Sequence, residues 1–194
     1  MKIYDISQEL MSCCVFPGDD APRKALVSDI TKGALYNLTN ISMCAHNGTH
    51  IDAPFHFIKD GKTVENIPLE KFIGPCVVIS HNGDFTKDHA EAVFNEKSAD
   101  VTKRILIKGN ATVTADASRF FAENGIYLIG NESQTVGDKN APMEVHKILL
   151  EKEVVLLEGI RLTGVKDGEY FLCAQPINIA GCDGAPARAV LIEF

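Results

Sequence analysis

From Pro75 to Leu157 the chain alternates short apolar runs with polar stretches of helical character, and no other feature constrains its fold as strongly. The runs are Cys76-Val77-Val78-Ile79, Ile105-Leu106-Ile107, Tyr127-Leu128-Ile129 and Val154-Val155-Leu156-Leu157. Between them lie Thr86–Asn95, Asp116–Asn124 and Pro142–Leu150. Strands joined through helices of about ten residues predict right-handed crossovers and a sheet covered by helices on at least one side. Asp84 or Thr86 can cap the first helix, and Asn124-Gly125 ends the second. Before this region Lys2–Ile6 and Ala25–Ile30 alternate, and Tyr36–Ile41 keeps the same strand-and-loop texture. After it, Tyr170–Ala174 and Ala189–Glu193 read as two more strands around the Gly/Pro-rich loop Gly181–Pro186. No internal repeat or linker-like stretch interrupts the pattern, so the expectation is one mixed α/β domain over residues 1–194.

Composition narrows the partners. With 45% hydrophobic and 23% charged residues the chain has the make-up of a folded globular protein, not of a disordered tract. A net charge of -7 argues against a surface built to neutralise phosphates, and there is no P-loop and no G-x-G-x-x-G after a strand, so no nucleic-acid partner is expected. No apolar run approaches the roughly 20 residues of a membrane span, so no membrane partner is expected either. The opening segment is broken by Asp5, Gln8 and Glu9, unlike a signal peptide, and the expected location is cytoplasmic. The six cysteines form no C-x-x-C pair and are expected as reduced thiols, with Cys76 and Cys173 buried in strands.

Three of the six histidines fall in the eleven-residue segment His46-Asn47-Gly48-Thr49-His50-Ile51-Asp52-Ala53-Pro54-Phe55-His56. Asn-Gly and Pro rule out a helix there. In an extended chain His46, His50, Asp52 and His56 share one face. Extension alone would leave His46 about 13 Å from His50 at roughly 3.3 Å per residue, so the chain must bend if both bind one ion, and Gly48 is the residue that allows it. Imidazole nitrogens with a carboxylate suit Zn(II), Mn(II) or Fe(II), and the absence of thiolates points to a catalytic site over a closed structural one.

A further carboxylate, Glu158, directly follows Val154-Val155-Leu156-Leu157, which places it at the carboxyl end of a strand, where open α/β sheets put their ligand sites. If buried it needs a partner charge or a metal; otherwise it is a solvent-facing turn residue. His146 lies twelve residues earlier on the helix-like Pro142–Leu150, where spacing alone makes it a partly buried helix histidine. His81 and His89 read as ordinary turn and helix residues.

The motif H-x-G-T-H-x-D-x-P-x-H resembles the signature of the metal-dependent cyclase and bacterial kynurenine formamidase family, which also includes isatin hydrolases. Phe16-Pro17-Gly18-Asp19, Gly74-Pro75-Cys76-Val77-Val78-Ile79 and Gly181-Cys182-Asp183-Gly184-Ala185-Pro186-Ala187-Arg188 extend the resemblance along the chain. The family's G-[IV]-D-x-x-S stretch differs, reading Gly130-Asn131-Glu132-Ser133-Gln134-Thr135 with a longer acid. The resemblance implies a β/β/α swivelling-type fold with a mixed sheet covered by helices, and a homodimer or homotetramer with sites near the subunit interface. It makes His46, His50, Asp52, His146 and Glu158 ligands of one or two zinc or manganese ions, with Asp52 and Glu158 bridging in the two-ion form. His56 becomes the catalytic acid/base.

These roles imply hydrolysis of a small amide, an aryl formamide such as N-formyl-kynurenine being the expected substrate. An ion lowers the pKa of its bound water from about 15.7 to about 7, and His56 carries a proton from water to the leaving nitrogen. With no Trp in the chain, an aromatic substrate would rest on Phe16, Phe55, Phe57 or Tyr36. Thr49 and Asn47 either orient the ligands or serve only their turn. The alternatives are a cyclic-amide hydrolase, a metal-dependent cyclase or lyase, and a metal-binding protein without turnover. A substrate panel separates the first; proton exchange without solvent-oxygen incorporation marks the second; bound metal without turnover marks the third.

Overall fold

The structure, a computed structural model, describes residues 1–194. Its elements in chain order are β1 (Lys2–Asp5), β2 (Arg23–Ser28), β3 (Leu38–Ser42), β4 (His50–Asp52), β5 (Ile73–Ser80), β6 (Gly83–Phe85), α1 (Lys87–Glu96), β7 (Arg104–Lys108), β8 (Ala111–Val113), α2 (Ala115–Glu123), β9 (Leu128–Asn131), α3 (Met143–Glu151), β10 (Val155–Glu158), β11 (Gly168–Cys173), β12 (Gly184–Pro186) and β13 (Val190–Glu193). Nine of these strands form one mixed sheet in the order β1-β13-β11-β5-β7-β9-β10-β4-β12. Its centre, β5, β7, β9 and β10, is parallel and is built by the alternation seen in the sequence. Antiparallel strands extend it on both sides.

The central strands are continuous apolar runs because both faces of the sheet are covered. Alternate residues divide between two cores. Cys76, Val78, Leu106, Leu128, Val155 and Leu157 face one, packed against Ile6, Ile51, Val64, Phe72 and Leu162. Val77, Ile105, Ile107, Ile129 and Leu156 face the other, beneath Ala90, Ala117, Phe121 and Leu149 of the three helices. Thr86 precedes α1 as its cap, its backbone N–H donating to His89 Nδ1 at 3.1 Å, while His81 Nε2 lies 2.9 Å from the Asp84 carbonyl; both histidines thus have ordinary structural roles. Burial pushes the Cys76 thiol up to about 12 and leaves it a packing residue. Cys173, expected to be buried, is only half-buried, because its strand lies toward the antiparallel side of the sheet.

Two features depart from the sequence reading. The loop Gly181–Pro186 ends in a strand, β12, whose backbone pairs with β4. The ribbon β2–β3 stands apart from the main sheet, with Leu26, Val27, Leu38 and Ile41 all exposed. An isolated two-stranded ribbon is at best marginally stable in water. No helix is long and apolar enough to cross a membrane.

Candidate metal centre

The site forms where β4 lies between β10 and β12. His50 pairs with Glu158, and Asp52 with Leu156, across β4 and β10. Only His50–Asp52 is extended. His46 enters from the turn before Gly48, whose φ of +68° makes the expected bend, and His56 sits in the short turn Pro54–His56. The single extended face expected for all four residues is therefore replaced by a bend, a strand and a turn that bring them to one cavity. Close packing of β12 is part of this: a Cβ on Gly184 would lie 2.6 Å from His46 Cε1 and 2.8 Å from the Ile51 carbonyl oxygen, so only glycine fits.

His50, Asp52, His146 and Glu158 are each at most 3% exposed. His50 Nε2 lies 3.3 Å from Asp52 Oδ1 and 3.6 Å from Glu158 Oε2. His146 Nε2 lies 3.5 Å from Asp52 Oδ2 and 3.2 Å from Glu158 Oε1. Each carboxylate thus turns one oxygen to each histidine. His46 Nδ1 is 2.8 Å from Asp52 Oδ1. Ligand atoms of His46, His50 and Asp52 form one compact group, those of Asp52, His146 and Glu158 form another that shares Asp52, and the less buried His46, His56 and Asp183 form a third.

The opposite ring nitrogens are anchored. His50 Nδ1 is 3.1 Å from the Gly48 carbonyl and His146 Nδ1 is 2.8 Å from that of Pro142. An Nδ1–H donated to a carbonyl leaves Nε2 with its lone pair toward the carboxylates, the arrangement that orients a histidine for a metal. Imidazole and carboxylate donors, buried and already convergent, fit a divalent ion.

Asp183, on the loop before β12, joins the site although the sequence offers it only as one residue of the Gly181–Arg188 segment. Its Oδ2 lies 3.0 Å from His46 Nε2 and 3.2 Å from His56 Nδ1. Asn47 serves its turn, its Oδ1 accepting from the Cys44 N–H at 3.0 Å, whereas Thr49 Oγ1 reaches across to donate to the Gly159 carbonyl at 2.7 Å and ties the segment to the end of β10 beside Glu158. Gln8 latches the N-terminal segment over the strand ends, its N–H donating to Thr49 Oγ1 and its Nε2 to the Gly159 carbonyl. The cavity above the cluster, about 250 Å³, has Phe16 and Phe57 as its aromatic walls. Phe55 and Tyr36 lie outside it, both exposed, because Phe55 turns away from His56 and Tyr36 belongs to the separate ribbon segment.

The family model described as "Putative cyclase" matches residues 4–138. The chain belongs to the cyclase family. This cyclase-family chain is 31% identical over 208 residues to the kynurenine formamidase of Maricaulis maris, covering 100% of this chain and 99% of the relative. A structure described as a predicted metal-dependent hydrolase from Bacillus stearothermophilus superposes with a TM-score of 0.81 at 30% identity, over 98% of this chain and 97% of the other. Isatin hydrolase A from Labrenzia aggregata shares the fold, with a TM-score of 0.83 at 23% identity over 100% and 94% of the two chains. The mixed sheet with helices expected from the sequence is thus the fold of this cyclase-family protein.

Without an ion the cluster is held by charge. Burial opposes protonation of His46, but Asp52 and then Asp183 outweigh it and raise its pKa to about 9. At His146 burial is likewise outweighed, by Asp52 and Glu158, and the pKa rises to about 10. Burial pushes Asp52 up, yet hydrogen bonds from His146, His46 and His50 hold it well below the usual carboxylate range. Since an unfolded histidine titrates near 6.5, the raised pair stabilises the metal-free fold fully below about pH 6.5 and loses that contribution as pH passes through 9 to 10. The depressed Asp52 acts in the other direction, contributing above about pH 4 and losing its effect in acid. The melting temperature of chelator-treated protein is therefore expected to decline from about pH 6.5 to about pH 10. A level or rising Tm over that interval would count against this pairing.

Proposed function

We propose that this protein is a metal-dependent amide hydrolase acting on aryl formamides, with N-formyl-kynurenine as the representative substrate. The observation that carries the reading is the pair of three-donor groups sharing Asp52, with His56 on the wall of the same cavity. Supporting it is full-length similarity to a kynurenine formamidase. His46, His50 and Asp52 would hold one ion, and Asp52, His146 and Glu158 a second; the donor set suits Zn(II) best and also serves Mn(II). A bound ion supplies Lewis acidity and lowers the pKa of water it holds.

The remaining work falls to the chain's own residues. Asp183 accepts the Nδ1–H of His56 and fixes its tautomer, leaving Nε2 free to take a proton from water and deliver it to the leaving nitrogen. Phe16 and Phe57 offer flat apolar surface to an aryl ring at the mouth. The Val136 N–H donates to Glu158 Oε1 at 2.8 Å and keeps that carboxylate directed at His146.

Residues 1–194 act as one domain in this reading, since β1 and β13, from opposite ends of the described chain, pair in the same sheet. The protein works as a homodimer or homotetramer, a reading supported by the exposed apolar residues of the β2–β3 ribbon; a monomer by light scattering at micromolar concentration would exclude it. Purified protein is expected to hydrolyse N-formyl-kynurenine, to lose that activity on chelation, and to regain it with zinc or manganese. Turnover that survives complete metal removal overturns the metal dependence. No turnover by folded, metal-loaded protein overturns the substrate.

A further inference from the structure

A second cavity of about 460 Å³ adjoins the first and shares Phe16, Gln134 and Thr135 with it. Its charge balance is unusual for a chain of net charge -7. The only acid in its wall, Glu132, has both oxygens committed to backbone, Oε2 to the Gly109 N–H at 2.7 Å and Oε1 to the Leu162 N–H at 2.9 Å. That carboxylate braces the loop and does not face a ligand. Lys139 is the cation of the wall, and no carboxylate of the chain pairs with it. Behind Cys14, which also lines the cavity, Arg161 adds a second cation: its Nη2 is 3.4 Å from Cys14 Sγ and its Nη1 donates to the Glu132 and Ile160 carbonyls. A turn fixes the segment that carries Lys139, with Asp138 Oδ1 accepting from the Asn140 N–H at 2.7 Å and the Asp138 carbonyl from the Ala141 N–H at 3.1 Å. That turn runs directly into α3, which bears His146, so the second cavity and the metal cluster are held by one segment.

We propose that this second cavity is a carboxylate subsite, with Lys139 as its anchor, for an aryl formamide that carries an acidic tail such as an α-amino acid. The proposal rests on the formamide reading above and specifies which formamides the site selects. The reacting amide lies at the histidine–carboxylate cluster, the ring passes Phe16, and the tail enters the wider cavity. There Lys139 meets the carboxylate through a charge-assisted hydrogen bond, stronger than its neutral counterpart. Asn140 and Ser133 offer neutral acceptors to an amino group.

Calorimetric binding of two amines to the metal-loaded protein tests this without relying on turnover. Kynurenine carries the α-amino-acid tail, whereas 2-aminoacetophenone has the same aryl amine and ketone and no tail. Kynurenine is expected to bind about tenfold more tightly, a preference that collapses in Lys139→Gln and is retained in Lys139→Arg. Equal binding of the two by the unmodified protein, or a preference that survives Lys139→Gln, overturns the subsite. N-formyl-kynurenine hydrolysis is assayed in parallel. If it is absent while the Lys139-dependent preference is present, the subsite stands and the formamidase reading fails.

Discussion

Asp52→Asn will cost the protein its metal and its activity together. The two buried three-donor groups proposed to hold ions both depend on Asp52, which turns one oxygen to His50 and the other to His146, with His46 also against it. An asparagine keeps the shape but removes the charge and gives one oxygen where two are needed. His50 and His146 would then face Glu158 as the sole remaining buried carboxylate of the cluster, and His46 would keep only the partly exposed Asp183. Loss of an outer-shell partner alone weakens metal binding by about 10–100-fold, and removal of a shared ligand is expected to exceed about 100-fold. Metal content by mass spectrometry after dialysis should fall to background, and formamide hydrolysis with it, while circular dichroism reports a folded chain. A variant that keeps its metal at unchanged affinity would remove Asp52 from the ligand set.

His56→Ala has a different signature: metal stays and rate falls. His56 lies in the turn after β4, in contact with Asp183 through Nδ1 and with no hydrogen bond engaging Nε2. It is a half-buried wall of the cavity and groups with His46 and Asp183, outside the two donor groups that share Asp52. Loss of a general acid–base is expected to lower kcat by about 10²–10⁴ with metal content unchanged. Equal loss of metal would make His56 a ligand and leave the proton transfer to another group.

The central sheet could be read from the sequence because its physics is local. Four short apolar runs separated by helical stretches specify parallel strands buried on both faces, and the structure places β5, β7, β9 and β10 on those runs. The cluster at residues 46–56 was equally visible, since His, Gly and Asp at those intervals have no other economical explanation. Glu158 was legible as a strand-end acid, but its convergence with His146 depends on how α3 packs beside β10, which spacing cannot supply. Asp183 was hidden for a similar reason: its role exists only once β12 pairs with β4, and a three-residue strand inside a Gly/Pro-rich loop has no periodicity to read. Phe16 was separated from Phe55 and Tyr36 only by tertiary packing, through the Gln8 latch that brings the N-terminal segment across the strand ends.

The position of β4 has a consequence for the order in which the protein is made. Ile51 is paired with Leu157 on one side and Ala185 on the other, so the strand that carries His50 and Asp52 has no neighbours until most of the chain has emerged. Such distant pairings form late, after the loop-closure entropy has been overcome. Metal loading is then a terminal step, and no ion can template the early collapse of the parallel centre. The reverse also holds. With β12 at the sheet margin and β4 next to it, fraying of that margin opens the cluster while β5, β7 and β9 remain intact. Exchange of the ion with its surroundings can therefore proceed by a local opening far less costly than unfolding the whole domain.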